Sequence, residues 1–196
     1  MLKLPKVTLI ALSGLDYETD KNVQALKKSC EGIEWGAVKY IQQGNIVDID
    51  SWNKAVIYDL YKYVDTEFAM FIHGDGYVIR PDLWNPKWLN YDFIGAPWPL
   101  PKDDYSYRDI DGVIRRVGNS VSLRSKFLLE LPTKLNIPWQ SYYGNTNEDG
   151  FLCCHQRHIL ESYGIKFAPL EVAKYFSKEH EIEENKSIET FAFHSV

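Results

Sequence analysis

Histidine and aspartate alternate with glycine in His73-Gly74-Asp75-Gly76, inside the stretch EFAMFIHGDGYVI at residues 67–79. The apolar run before this group and the shorter one after it have the length of buried strands rather than of helix. A carboxylate at the mouth of a buried strand is held in a fixed place, beside backbone that can approach a ligand closely. That arrangement suits a metal–diphosphate site. Asp75-Gly76 is also a favoured two-residue turn for tight strand reversal, so a plain hairpin accounts for the same residues. The two readings are compatible, and the rest of the chain must decide between them.

A second acidic group, Glu148-Asp149, opens a helical segment expected to run to about Tyr163. Asn147 can cap that helix, and both carboxylates complement the positive end of its dipole. The chemical reading is that one of them points into a cleft as a general base. Cys153-Cys154-His155 and His158 follow in the same segment. They invite a zinc reading, but adjacent helical residues point about 100° apart, and closed zinc sites usually take paired ligands from separate turns or loops. Buried thiols and surface imidazoles account for them better. Near the end of the chain, Phe191, Ala192 and Phe193 precede His194. Apolar residues there predict a tail that docks, and a docked tail could bring His194 to a metal.

The elements that must position these groups can be read in order. Residues 6–12 (KVTLIAL) form a β-branched, apolar strand closed by Ser13-Gly14, a junction that often faces a nucleotide in α/β proteins. No G-x-G-x-x-G or P-loop follows, so a dinucleotide fold or P-loop has no motif support. Thr19 or Asp20 caps a helix to about Cys30, with Val23, Ala25 and Leu26 inward and Gly32 beyond its end. Residues 33–41 are a second strand. Asp50 or Ser51 caps a further helix in which Trp52, Val56, Leu60 and Val64 recur at helical spacing, as a core stripe. With the strand before His73, the order is β-α-β-α-β, which predicts a mainly parallel sheet with helices on both faces. Ligands of such sheets lie beyond the carboxyl ends of the strands, where His73 and Asp75 fall.

Beyond them, residues 92–98 (DFIGAPW) read as a short strand stopped by Pro97, and 99–116 as a charged surface loop, the best candidate for a mobile one. Residues 117–124 lead into a helix that Pro132 ends. A second loop covers 137–147, late strand residues lie in 165–177, and the acidic run 180–189 reads as a solvated loop.

The 196 residues suggest one domain. A net charge of −5 and a pI of about 5.6 provide no positive field for nucleic acid or anionic lipid, although a local basic patch would not show in the total. Three cysteines do not make a disulfide framework, which favours a reducing compartment. The N-terminus superficially resembles a signal peptide, but its apolar run is short, Pro5 and Lys6 precede it, and Asp16, Glu18 and Asp20 soon follow. No apolar run approaches the roughly 20 residues that cross a bilayer, so the expected location is cytoplasmic.

Several segments together resemble a family of glycosyltransferase-like proteins with a GT-A type, Rossmann-like fold, found in bacteria, viruses and lower eukaryotes. Asp92-Phe93-Ile94-Gly95-Ala96-Pro97-Trp98 fits a D-[YF]-I-G-A-P-W signature, and Gly118 through Arg124, Glu148-Asp149, Phe176-Ser177-x-Glu179 and Phe193-His194 follow in the family's order. The resemblance implies a transferase moving a sugar from a nucleotide-sugar donor, UDP-linked, to a hydroxyl of a glycan or other acceptor. It places Asp75 and His194 on a Mn²⁺ or Mg²⁺ ion, and makes Glu148 or Asp149 the base of an inverting reaction. Gly118-Asn119-Ser120 would lie against donor sugar or acceptor, with Arg124 balancing the diphosphate. Ser13, Gly14, His73 and Gly74 complete the expected donor contacts.

His73 stands where the usual D-x-D motif has its first aspartate. One carboxylate and one imidazole leave much of a six-coordinate shell to phosphate and water, so metal affinity without nucleotide should be weak. Three other readings compete. Trp84, Trp88, Trp98 and Trp139 could be stacking platforms of a non-catalytic carbohydrate-binding module, or the chain could be a degenerate nucleotide-binding relative. Alternatively the acceptor is a modified DNA base of a virus, with Lys102, Arg108, Arg115, Arg116 and Arg124 forming a basic groove.

Overall fold

A computed structural model describes residues 1–14, 19–140 and 147–195. Asp16 and Glu18, and the greater part of the 137–147 loop, lie outside the described residues. The strands are β1 (Leu2–Gly14), β2 (Ile33–Gln43), β3 (Phe68–Phe71), β4 (Phe93–Pro97) and β5 (Val117–Ser125), in the order β2-β1-β3-β5-β4. β1 runs parallel to β2 and β3, and β5 alone is reversed, antiparallel to both β3 and β4. The fold is a mixed α/β one with a mainly parallel central sheet.

Alternation along the strands divides the core. Val7, Leu9 and Ala11 of β1, with Met70 and Leu123, pack under helix α1 (Thr19–Ser29), helix α6 (Leu170–Ala173), Trp88 and Phe191. Ile10, Leu12, Ala69 and Phe71 point the other way, against α2 (Ile49–Tyr58) and α3 (Lys126–Lys134). Successive strand residues face opposite sides, so these continuous apolar runs require helices on both faces. Among the described residues, no helix is long and apolar enough to cross a membrane.

Several boundaries differ from the sequence reading. The cap of α2 is Asp48, not Asp50 or Ser51: its carboxylate accepts the Ser51 N–H at 2.8 Å, while Ser51 Oγ accepts the Asp48 N–H. Leu60 and Val64 lie beyond the end of α2, in and after a 3₁₀ turn. Pro132 lies inside α3 rather than ending it, because in the final turn a missing N–H forgoes a single bond. The expected helix 147–163 is three pieces: α4 (Glu148–Gly150), a π-helical turn (Phe151–His155) and α5 (Arg157–Ser162). Residues 165–177 supply α6 and only the start of β6 (Ser177–Lys178), which pairs in parallel with β7 (Ala192–Phe193).

The signature segment has a packing explanation. Gly118 pairs with Ala96 across β4 and β5, a Cβ on the preceding Gly95 would overlap the Gly118 carbonyl, and a Cβ on Gly118 would overlap the ring of Trp98. Trp98 is buried and stacks on Tyr107 at 4.8 Å between ring centroids. Gly118→Ala should therefore destabilise the protein by about 1–3 kcal/mol in urea unfolding, and Trp98→Leu in the same chain should remove part of that loss. Additive losses would show that the ring does not press on this glycine.

Candidate functional site

Beyond the carboxyl ends of β1 and β3 lies a cavity of about 740 Å³, whose wall includes Ser13, Gly14, Trp52, His73, Asp75, Ser120 and His194. The turn at its mouth does form: the His73 N–H donates to the Gly76 carbonyl at 2.8 Å and the Gly76 N–H returns to His73 at 3.2 Å. The chain then leaves β3. Ile79 donates to the Phe191 carbonyl, Val78 bridges to Ala192, and Phe193 donates to the Tyr77 carbonyl. The partner of the second apolar run is the C-terminal tail, so the tail holds the carboxylate where the cavity opens. The glycines permit this closeness. A Cβ at Gly74 would stand 2.6 Å from Cβ of Lys21 in α1, and one at Gly76 2.5 Å from Cγ2 of Val121 and 2.8 Å from Cδ2 of His194.

The tail delivers His194 to Asp75, with Nε2 3.5 Å from the Asp75 carboxylate. Nδ1 faces the Glu179 carboxylate at 3.3 Å and the Asn119 side-chain nitrogen at 3.1 Å. Burial works against a charged His194, but the hydrogen bond and charge of Glu179, with Asp75 and Asp149 beyond, raise its pKa above the ordinary value. Burial likewise opposes a charged Glu179, yet its bonds to His194 and Asn119 hold its pKa below the usual carboxylate value. His73 stacks on His194 at 5.4 Å and is pushed down to about 3 by burial, then by the charges of His194 and Arg124. It is a neutral ring, and its buried Nε2 has no hydrogen-bond partner among the described residues.

Glu148 and Asp149 separate completely. Glu148 is 1% exposed and pairs at 2.7 Å with Arg124, itself fully buried between the rings of Phe71 and Phe93. Neither belongs to the wall of the larger cavity; the acid expected as a possible base and the arginine expected beside the diphosphate face each other instead, because a buried charge needs its counter-charge. Nor does Asn147 cap α4 through its side chain; Asn53 of α2 accepts the Glu148 N–H instead, at 3.1 Å. Asp149 turns outward. Its oxygens accept the Asn119 N–H at 3.1 Å and the Gly150 N–H at 2.8 Å, and it lines a second, smaller cavity of about 160 Å³. Close packing, then the Glu148 charge, push its pKa up to about 7.

Of the other expected donor contacts, Gly118 is buried under Trp98, Gly74 presses on α1, and Asn119 lies behind the cavity as a junction. Asn119 holds φ +85, its side chain accepts the Val121 N–H, and it touches both Asp149 and His194. Its backbone N–H meets Asp149 in the wall of the smaller cavity, and its side chain meets His194 in the wall of the larger one. Glu179 had no role in the sequence reading although it stands in a quoted motif; its function depends on a contact 15 residues along the chain. Trp52, read as core, forms part of the cavity wall and donates to the Leu12 carbonyl at 3.0 Å. Cys153 and Cys154 are buried, His158 is exposed and His155 lines the smaller cavity.

Among the described residues, no group of three or more His, Cys, Asp or Glu side chains is placed to hold a metal. Asp75 and His194 fit a cation that draws its other ligands from a substrate. Glu179 engages Nδ1, which leaves Nε2 as the nitrogen facing Asp75. The cavity wall carries Asp48 and Asp75 and, among the described residues, no Lys or Arg.

The same architecture is found in a solved glycosyltransferase. The chain is similar to the crystal structure of a glycosyltransferase involved in the glycosylation of the major capsid of PBCV-1, with a TM-score of 0.61 and 11% identity, over 96% of this chain and 91% of that one. The chain belongs to the family described as "Protein of unknown function (DUF5672)", whose model matches residues 37–194. No curated protein matches.

The geometry around Gly76 gives a direct expectation. Gly76→Ala should push the tail from the turn and lower stability by about 1–3 kcal/mol, with faster proteolysis after residue 190. Unchanged stability and protease resistance would mean that the tail does not press on this turn.

Proposed function

We propose that the chain is a glycosyltransferase domain that moves a sugar from a nucleotide-sugar donor, UDP-linked, to an acceptor hydroxyl with inversion. The observation that carries this reading is the meeting of Asp75 and His194, 3.5 Å apart, at the mouth of the larger cavity. A diphosphate in that cavity would face Asp48 and Asp75 with no Lys or Arg among the described residues of the wall to offset its charge. Asp75 and His194 would hold Mn²⁺ or Mg²⁺, which when bound neutralises the leaving nucleoside diphosphate as a Lewis acid.

The remaining work falls to the chain's own groups. Asp149 is the base: it takes the proton from the acceptor hydroxyl as that oxygen attacks the anomeric carbon. The N–H groups of Asn119 and Gly150 orient its carboxylate. Its negative charge also stabilises the oxocarbenium-like transition state. Glu179 holds His194 through Nδ1, and the neutral His73 ring supports its face.

The rival readings meet specific obstacles. Trp88 is buried in the core and Trp84 packs on Trp88 and Phe191, so these two rings are not laid out as a shared stacking platform, while Trp98, also buried, belongs to the wall of the smaller cavity. Arg115 pairs with Asp109, Arg116 with Glu184 and Arg124 with Glu148, which removes most of the basic groove a DNA acceptor would need.

The test is thermal shift with a panel of nucleotide sugars, with and without Mn²⁺, followed by transfer assays. One nucleotide family should stabilise the wild type only when metal is present, and Asp75→Asn should abolish that shift. Asp149→Asn should keep the shift and lose about 10²–10⁴-fold in transfer rate. Because the base must be ionised and its pKa is raised, the wild-type rate should climb about tenfold per pH unit below about 7 and then level off. Wild-type turnover by Asp75→Asn would contradict the assignment.

A further inference from the structure

The smaller cavity has a composition the donor side does not explain. Its volume of about 160 Å³ is close to that of an engineered apolar cavity of about 150 Å³ that admits one benzene ring. There is room here for one six-membered ring. The lining, however, is polar. Asp149 stands on one side, and residues 154 and 155 join it there because the π-helical turn widens the helix: the Gln156 N–H reaches the Phe151 carbonyl, five residues back. Glu179 and His180 close the side toward His194.

The third side comes from the segment read as a mobile charged loop. Residues 99–116 contain no helix or strand of their own, yet they are pinned. Asp109 accepts the N–H groups of Asp111 and Val113 and pairs with Arg115; the Arg115 N–H donates to the Tyr107 carbonyl; Asp103 holds Ser106 by backbone and side chain. Tyr107 stacks on the buried Trp98. This built segment presents Tyr105, Ser106 and Tyr107 to the cavity.

We propose that this cavity is the acceptor subsite, shaped for one neutral pyranose ring, a terminal sugar residue of a glycan. The assignment rests on the transferase reading of Asp149. A hydroxylated ring matches a wall that alternates aromatic faces with hydrogen-bonding groups. Two carboxylates, Asp149 and Glu179, with no Lys or Arg among the described residues of the wall, reject uronates, sialates and phosphorylated sugars. Tyr105, Ser106 and Tyr107 set the specificity.

The experiment uses the full chain, UDP with Mn²⁺, and a panel of methyl pyranosides, neutral and anionic, followed by saturation-transfer NMR and by transfer from the donor found above. Neutral pyranosides should bind the wild type, and Ser106→Trp, which fills the cavity, should weaken their binding by about tenfold or more while the UDP–Mn²⁺ thermal shift stays as in wild type. Tyr105→Ala, which removes a half-exposed ring and leaves the core intact, should raise the acceptor KM by about tenfold without changing the donor KM. If both variants handle acceptors as the wild type does, or if anionic pyranosides bind better than neutral ones, the assignment is wrong. Should UDP and Mn²⁺ fail to shift the wild type, the donor reading falls, and the subsite is then judged on pyranoside binding alone, which Ser106→Trp must still weaken.

Discussion

The site depends on the docking of the last few residues against the turn after β3. Phe191 is fully buried, and the Ala192–Phe193 strand pairs with Ser177–Lys178 on one side and with the 77–79 segment on the other. Burying an aromatic side chain of this kind contributes about 1.5–3 kcal/mol. That is enough to hold this short segment against the turn. The consequence is electrostatic. An imidazole from position 194 is fixed between carboxylates from positions 75 and 179, and the hydrogen bond and charge of Glu179, with the charge of Asp75, outweigh burial and raise its pKa above the ordinary value.

A second constraint lies behind the first. Arg124 and Glu148 form an ion pair with no solvent contact, and Arg124 also donates to the Ser122 hydroxyl and the Ser120 carbonyl. The pair ties β5 to the start of α4. In doing so it makes two neighbouring carboxylates chemically different: Glu148 has a cation and Asp149 has backbone N–H groups, a crowded surround and a like charge beside it. Adjacent acids can thus differ in surroundings: Glu148 is a buried structural charge, while burial and a neighbouring like charge raise the pKa of Asp149 at the edge of the smaller cavity.

The β-α-β-α-β order was legible because glycine punctuation and apolar periodicity are local, and the places of His73 and Asp75 at a strand's carboxyl end followed from that order. Contacts between distant positions were not legible. Nothing near Glu148 tells it from Asp149; that choice is made by Arg124, 24 residues earlier. Glu179 gains its role only once the tail has docked. The choice of Asp48 over Asp50 as a cap turns on which acid can exchange bonds with Ser51, a geometric matter that composition does not reveal. The π-helical turn shifts the helical period over five residues, too few for periodicity to register, yet it carries Cys154 and His155 to the smaller cavity.

The central claim, that chain ends and middle converge to receive one substrate diphosphate, is tested most directly by anomalous diffraction at the manganese edge from crystals grown with UDP and Mn²⁺. The account predicts a single peak between the Asp75 carboxylate and Nε2 of His194, with the diphosphate density in the larger cavity beside it. Manganese bound at other side chains, or UDP density outside that cavity, would contradict it.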